Sequence, residues 1–559
     1  MRCAGVGKGD DRFSDERAIR LFMNTVYHRL PRALAAVLAL GAFVIPPPAE
    51  LSAQGGQPPK LVVAIAIDQL RGDQLERYGP AFTGGFRRLL DDGRYFTQAS
   101  HAHARTSTAP GHATLTTGVY PSRHGVIANS WQQRSGMQWQ YMYAVGDAAS
   151  PILGFEDEAV LEGRSPRNLL REGLPDWMGA VDENARRVSI SRKDRAAIPM
   201  GGRNSEHVYW LLPELAQFIT STHYQDRYPG WLRGFNEEVM PEIFGVQVWE
   251  SLVSEELAHL ARADSADYEF DGVHTTFPHV SKQENAADTS LVQHYVWGSD
   301  RPAADNAVMA LAGVALDELE LGQRDETDYL ALSLSVTDRM GHQHGPFSPE
   351  VFSILINVDR LLGDFFALLD EEVGEGRWVV GLSSDHGVAT MPEYARGQGN
   401  VEAERIPRDS VLQLMNPIIT GALQAGGSPL VISERIAGGI EAAGVASKAY
   451  THHDLTRGAP ADSFAVLYRN SYFPGRAWDT LSRWEVDLRY GEGDYLGSRT
   501  GTNHESAYWY DRWVPMIFLG PGVAPGVSDM PVYTVDFAPT LAGLAFIPFP
   551  SDLDGRRLF

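Results

Sequence analysis

The chain has 559 residues, with 71 Asp and Glu against 48 Lys and Arg, and a formal net charge of −23. A field of that sign repels a phosphate backbone, which excludes nucleic acid as an expected partner. Its one cysteine, Cys3, offers neither a disulfide framework nor a thiolate metal site, so the fold has to rest on its core.

In chain order, the first segment stands apart. Residues 34–45 (LAAVLALGAFVI) follow His28, Arg29 and Arg32 and run into Pro46, Pro47 and Pro48. The apolar run is too short to span a bilayer comfortably. With a basic flank before it and Leu51, Ser52 and Ala53 after it, it has the pattern of a secretory signal cleaved before Gln54. Residues 1–22 are charged and make a poor signal start, so Met23 is the expected first residue. The expectation is a signal peptide with an upstream extension over 1–53, export to the periplasm or medium, and no stable membrane span after cleavage. Residues 54–559 carry no low-complexity linker and read as one large α/β domain with insertions.

Residues 61–67 (LVVAIAI) are apolar and β-branched without interruption, the pattern of a strand buried on both faces of an α/β sheet. Asp68 follows directly. The same arrangement recurs at 329–336 (YLALSLSV), leading to Asp338, and at 378–382 (WVVGL), leading to Asp385. Residues 306–321 and 349–369 have helical apolar spacing, and the second reads as the crossover between two parallel strands. Residues 514–519 and 535–544 complete the pattern as a late strand and closing helix. The stretches at about 131–300 and 401–500 break this rhythm and are expected as insertions that cap the site.

Ligands in such sheets collect at the carboxyl ends of strands. Asp68, the TDRMGH segment with Asp338 and His342, the SSDHG segment with Asp385 and His386, and GTNH ending at His504 together supply oxygen and nitrogen donors for two metal ions. Gly341 within TDRMGH predicts a tight turn there. The RTSTAPGH segment supplies a hydroxyl. Pro110 and Gly118 bracket a short helix with Thr108 as its expected N-cap, where free N–H groups and the dipole favour an incoming phosphate. Cations flanking a hydroxyl are a device for cleaving phosphate esters. His101, His103, His112 and His124 surround this segment and read as structural; His344 reads as a residue outside the ligand set.

These motifs resemble the alkaline phosphatase superfamily, and within it the phosphate-irrepressible, monoesterase-type enzymes with a threonine nucleophile. The resemblance covers residues 60–559, including LDGRRL at 553–558. It implies an α/β three-layer sandwich with a largely parallel central sheet and large capping insertions. It also implies two zinc ions, one on Asp338, His342 and His504 and the other on Asp68, Asp385 and His386, with Thr108 bridging toward both. Reaction would proceed by phosphorylation of Thr108 and hydrolysis of the phosphothreonine. Asn129, in GVIANSW, matches the position whose amide donates to a phosphoryl oxygen. Lys193 and Arg195, in SRKDRAA, match a Lys-x-Arg pair set over the phosphoryl group.

That pair separates the alternatives, because a phosphate monoester presents a dianion and a diester a monoanion. Two cations favour the former, so small-molecule phosphate monoesters are the expected substrates and phosphate scavenging the expected role. A nucleotide pyrophosphatase or phosphodiesterase on the same metal site is the main alternative, and a non-catalytic phosphate-binding protein the second. A sulfatase is disfavoured by His112, which stands where its motif needs arginine.

Overall fold

The computed structural model describes residues 57–156, 161–400 and 402–559; the signal segment expected at 1–53 lies outside them. At its centre is a nine-stranded sheet. Its strands are β1 (Leu61–Ile67), β2 (Arg94–Phe96), β3 (Arg187–Ser191), β4 (His207–Leu212), β5 (Gln217–Ile219), β6 (Asp328–Leu334), β7 (Trp378–Ser383), β8 (Met516–Leu519) and β9 (Gly526–Ser528). The order across the sheet is β9-β2-β8-β7-β1-β6-β3-β4-β5. From β7 to β4 every pairing is parallel; β8 and β5 pair antiparallel with their inner neighbours.

The apolar run of β1 has a direct reason. Side chains alternate across a strand, and Leu61, Val63, Ile65 and Ile67 enter one hydrophobic core while Val62, Ala64 and Ala66 enter another. The helices that cover these faces and bear on the site are α1 (Thr108–Thr117), α2 (Asp194–Met200), α3 (Pro302–Glu318), α4 (Val336–His344), α5 (Pro349–Leu369) and α6 (Phe537–Leu544). The first core is closed by Val308 and Leu311 of α3 and by Phe352, Leu355 and Phe365 of α5. The second is closed by Leu115 of α1, Met200 of α2 and Leu541 of α6. Helices on both faces of a largely parallel sheet make the three layers.

Two expectations need correction here. The segment 131–300 is not insertion throughout, because β3, β4 and β5 all lie inside it. Their sequences hide this: β3 reads RVSIS, with serine at alternate positions, and β4 reads HVYWLL, so neither is a plain aliphatic run. Nor is the segment around Gly341 a tight turn; Asp338 and His342 lie on α4, one helical turn apart. Glycine is needed at 341 for close approach, since a Cβ there would overlap the side-chain oxygen of Gln69. The segment 401–500 does stand off the central sheet. Its helices Arg408–Ala425 and Pro429–Ala442 pack Val411, Met415, Ile436 and Ile440 into a core of their own with Val486.

Candidate active site

The three strands that end in acidic residues are neighbours, which is why segments far apart in the chain converge. Leu61 of β1 lies opposite both Asp328 of β6 and Trp378 of β7, and Ile67 lies opposite Leu334. Asp68 directly follows β1, Asp385 follows β7, and Asp338 sits in the first turn of α4 after β6. His342 Nε2 is 3.1 Å from Asp338 Oδ1, and His504 Nε2 is 3.7 Å from the same oxygen. His386 Nε2 is 3.6 Å from Asp68 Oδ1 and 3.3 Å from Asp385 Oδ2.

Each imidazole is oriented from behind. His342 Nδ1 donates to the Thr502 carbonyl at 2.9 Å, His504 Nδ1 to that of Thr106 at 2.6 Å, and His386 Nδ1 to that of Gly387 at 2.9 Å. This turns every Nε2 into the site, the arrangement that fixes metal-ligating histidines. Asp68 Oδ1, Asp385 Oδ2 and His386 Nε2 are buried without any hydrogen-bond partner, and buried polar atoms left so are costly. One set of donor atoms, from Asp338, His342 and His504, lies mutually within 4.8 Å, and so does a second from Asp68, Asp338 and His386. The residues fit divalent cations. Asp385 borders the second set, with its Oδ1 taking the Gln69 backbone N–H at 3.1 Å.

The field inside this cluster is unbalanced. Burial, reinforced by Asp385, pushes the Asp68 carboxyl well above the ordinary carboxylate range against the pull of Lys193. Burial acts the same way on Asp338, but Lys193 and His342 overcome it and hold that carboxyl well below the usual range. Burial also drives His504 well below the ordinary imidazole value, with His386 and His342 adding to it, so its ring stays neutral and able to ligate. Three buried carboxylates beside one lysine are a cation-seeking arrangement.

Thr108 opens α1, all of whose residues are buried. The N-cap is Ser107 rather than Thr108, and it makes no side-chain cap bond, so Thr108 is the first helical residue. The difference is a single position: Ser107, with φ −143°, is extended, and serine and threonine serve equally well as caps. Contacts on either side bracket Thr108 against the donors. The Thr106 carbonyl holds His504, while Gly111 abuts Asp385 so closely that a Cβ would overlap the Asp385 carbonyl oxygen. Asn129 Oδ1 accepts the Ala109 N–H at 2.9 Å, which ties its amide to the start of α1.

Lys193 reaches the site, with Arg195 two residues on, because β3 lies beside β6 in the sheet and ends just before them. Lys193 Nζ sits 2.5 Å from Asp68 Oδ2 and 2.6 Å from Asp338 Oδ2. It bridges the two donor sets. For Arg195, burial opposes the charge, but Tyr143, Asp194 and Asp68 outweigh it and raise its pKa further. Asp194 is in turn held by Tyr143 Oη at 2.6 Å and Arg164 Nε at 2.6 Å.

Sequence reasoning passed over several supports. Gln69, in a left-handed conformation with φ 67°, donates through Nε2 to Asp338 Oδ1 at 2.7 Å; its place after Asp68 was the only available signal. Tyr143, Asp194 and Arg164 gave no pattern at all. Of the flanking histidines, His112 bonds the Thr108 carbonyl at 2.8 Å and Ser333 Oγ at 2.8 Å, with Nδ1 3.3 Å from Asp385. His101 bonds the Ser384 carbonyl and His103, and His124 bonds Thr114. His344 is buried away from both donor sets, beside Glu269 and Glu350. A cavity of about 160 Å³ adjoins His504, lined in part by Arg105, Tyr490, Tyr495, Tyr508 and Tyr510.

Fold and donor set together are those of the metal-dependent phosphohydrolases. A model of the type I phosphodiesterase/nucleotide pyrophosphatase family matches residues 62–478, and the chain belongs to this family, within the alkaline phosphatase superfamily. It is 29% identical over 523 residues to alkaline phosphatase PhoV of Synechococcus elongatus, covering 89% of this chain and 92% of that protein. It is also similar to the crystal structure of wild-type alkaline phosphatase PafA, with a TM-score of 0.79 and 26% identity over 90% of this chain and 99% of the other. A second PafA structure has a threonine replaced by serine and an asparagine, a lysine and an arginine replaced by alanine. It gives a TM-score of 0.78 at 25% identity, with the same coverage.

Proposed function

We propose that this chain hydrolyses phosphate monoesters by transferring the phosphoryl group to Thr108 and then to water. The observation that carries this reading is the start of a buried helix at Thr108, bracketed by the His504 and Asp385 contacts, with Lys193 paired to Asp68 and Asp338 of the same acidic cluster. Asp338, His342 and His504 would hold one divalent cation and Asp68, Asp385 and His386 another. Such ions supply Lewis-acid charge, and the all-oxygen-and-nitrogen donor set suits zinc.

In the first half-reaction Thr108 Oγ1 gives its proton to solvent and attacks phosphorus, the bond to the ester oxygen breaks, and that oxygen takes up a proton from solvent and leaves as the alcohol. In the second, water takes the phosphoryl group from Thr108 and inorganic phosphate leaves. The amide of Asn129, whose oxygen is tied to the start of α1, would donate to a phosphoryl oxygen. Lys193 and Arg195 would complement a dianion. The four residue types replaced in the second PafA structure are the four singled out here, and relatives named alkaline phosphatases support the same reading. The aromatic cavity beside His504 would give an organic leaving group room without selecting one. Export, supported by the apolar segment at 34–45, would place the activity where phosphate could be scavenged from external esters.

The family description leaves a phosphodiesterase as the competing reading. The test is kcat/KM of the zinc-loaded protein for p-nitrophenyl phosphate and bis-p-nitrophenyl phosphate. A large preference for the monoester is expected. A preference for the diester would overturn the assignment.

A further inference from the structure

A further cluster of donors lies on the side of α4 away from His342. His344 is two residues beyond His342, and a helix turns about 200° in that distance, so the two imidazoles leave α4 on opposite sides. His344 is fully buried, and neither of its ring nitrogens has a hydrogen-bond partner. Its Nδ1 lies 3.7 Å from Glu350 Oε1 and 3.7 Å from Glu269 Oε2, beyond hydrogen-bonding range of either. His279 Nε2 lies 3.3 Å from the same Glu350 oxygen, and Glu350 Oε2 has no partner. All three residues are buried, and their donor atoms lie mutually within 4.8 Å.

Hydrogen bonding satisfies His279 but leaves both His344 nitrogens and Glu350 Oε2 without partners, and buried polar atoms left so are costly. A tetrahedral ion with zinc-to-ligand distances of about 2.0–2.2 Å has ligand-to-ligand edges of about 3.3–3.6 Å, and two of the separations here are 3.3 and 3.7 Å. The supporting contacts are those of a metal site as well. His279 Nδ1 donates to Glu284 Oε1 at 2.8 Å, and its Nε2, now bonded to Glu350 at 3.3 Å, would exchange that proton for the ion. Glu284 is held by Trp297 Nε1 at 2.8 Å and Arg301 at 2.6 Å. Arg301 neutralises Glu284 and Arg262 neutralises Glu269, whereas the ion pairs of Glu350 are to the two imidazoles. Trp249 stacks on His279 and Phe270 on His344, with ring centroids 5.2 and 5.6 Å apart, giving the donors an apolar surround.

We propose that His279, His344 and Glu350 bind a structural zinc ion, with Glu269 placed to close the fourth position. The ion would clamp the end of α4, which carries Asp338 and His342, to the first turn of α5 and to the strand His279–Val280. It shares no donor with the catalytic set and does not depend on the function proposed above.

The test is an anomalous difference map from crystals of the zinc-loaded protein, recorded on either side of the zinc absorption edge. A peak among His279, His344 and Glu350 is expected, and its absence overturns the proposal whatever the density at Asp68, Asp338 or Asp385. In solution, Glu350→Gln and His279→Gln should each hold one zinc equivalent fewer than the unsubstituted protein after gel filtration, by elemental analysis, and should melt at lower temperature. A folded variant that keeps all its zinc also overturns it. If neither variant folds, the map of the unsubstituted protein still decides.

Discussion

Replacing Lys193 and Arg195 together by alanine would probe the step at which substrate charge is recognised. Lys193 is buried and Arg195 half-buried, and Lys193 Nζ already lies 2.5–2.6 Å from two carboxylates of the donor sets. A charge-assisted hydrogen bond contributes about 1.5–3 kcal/mol, so losing one bond from each residue removes about 3–6 kcal/mol of transition-state stabilisation. At about 1.4 kcal/mol per tenfold, monoester kcat/KM should fall by roughly 10² to 10⁴. A diester carries one negative charge fewer, so its kcat/KM should fall much less. The assay compares p-nitrophenyl phosphate with bis-p-nitrophenyl phosphate in parent and variant, with zinc content measured in both because Lys193 touches Asp68 and Asp338. Equal losses for both substrates at unchanged zinc content would refute the argument and reduce the pair to a structural role.

Gly111→Ala should lower zinc content and activity together, because the added Cβ would meet the Asp385 backbone and push α1 off the donors; elemental analysis with a monoester assay reads both. Asp305, whose Oδ1 caps the start of α4 through the Ser335 and Val336 N–H groups at 2.9 and 3.3 Å, is pushed up to about 7 by burial. A carboxyl raised in this way stabilises the fold fully below its unfolded value near 4, and that contribution is lost as pH rises through about 7. The loss is on the order of 4 kcal/mol at most. Asp305→Asn should therefore gain in melting temperature relative to the parent as pH goes from 5 to 7, and the difference should then level off. A difference independent of pH would contradict this.

The sequence was most readable where geometry and composition coincide. β1, β6 and β7 are aliphatic because both their faces are covered, and Asp68 and Asp385 stand out as the first acidic residues beyond such runs. The convergence of Asp338, His342 and His386 follows once β7, β1 and β6 are adjacent and parallel, whereas His504 comes from a loop ahead of β8 and is held there by the Thr106 carbonyl. Strands β3 to β5 were hidden because serine, histidine and aromatic side chains replace aliphatic ones toward that edge of the sheet. Gly341 suggested a turn because its true reason, the approach of Gln69, is a tertiary contact. Ser107 and Thr108 are both competent caps, and only backbone dihedrals tell which serves. The pairing of His344 with His279 and Glu350 joins positions 65 or more residues apart for one of its two links, and nothing local in the chain announces it.

The central claim is that Thr108 carries the phosphoryl group between substrate and water. Its most direct test is rapid acid quench of the zinc-loaded protein during turnover of a monoester labelled in the phosphoryl group, followed by peptide mass spectrometry. Label on the peptide containing Thr108, absent in Thr108→Ala along with monoester turnover, is the predicted result. Unimpaired turnover by Thr108→Ala, with no label on that peptide in the parent, would contradict the account.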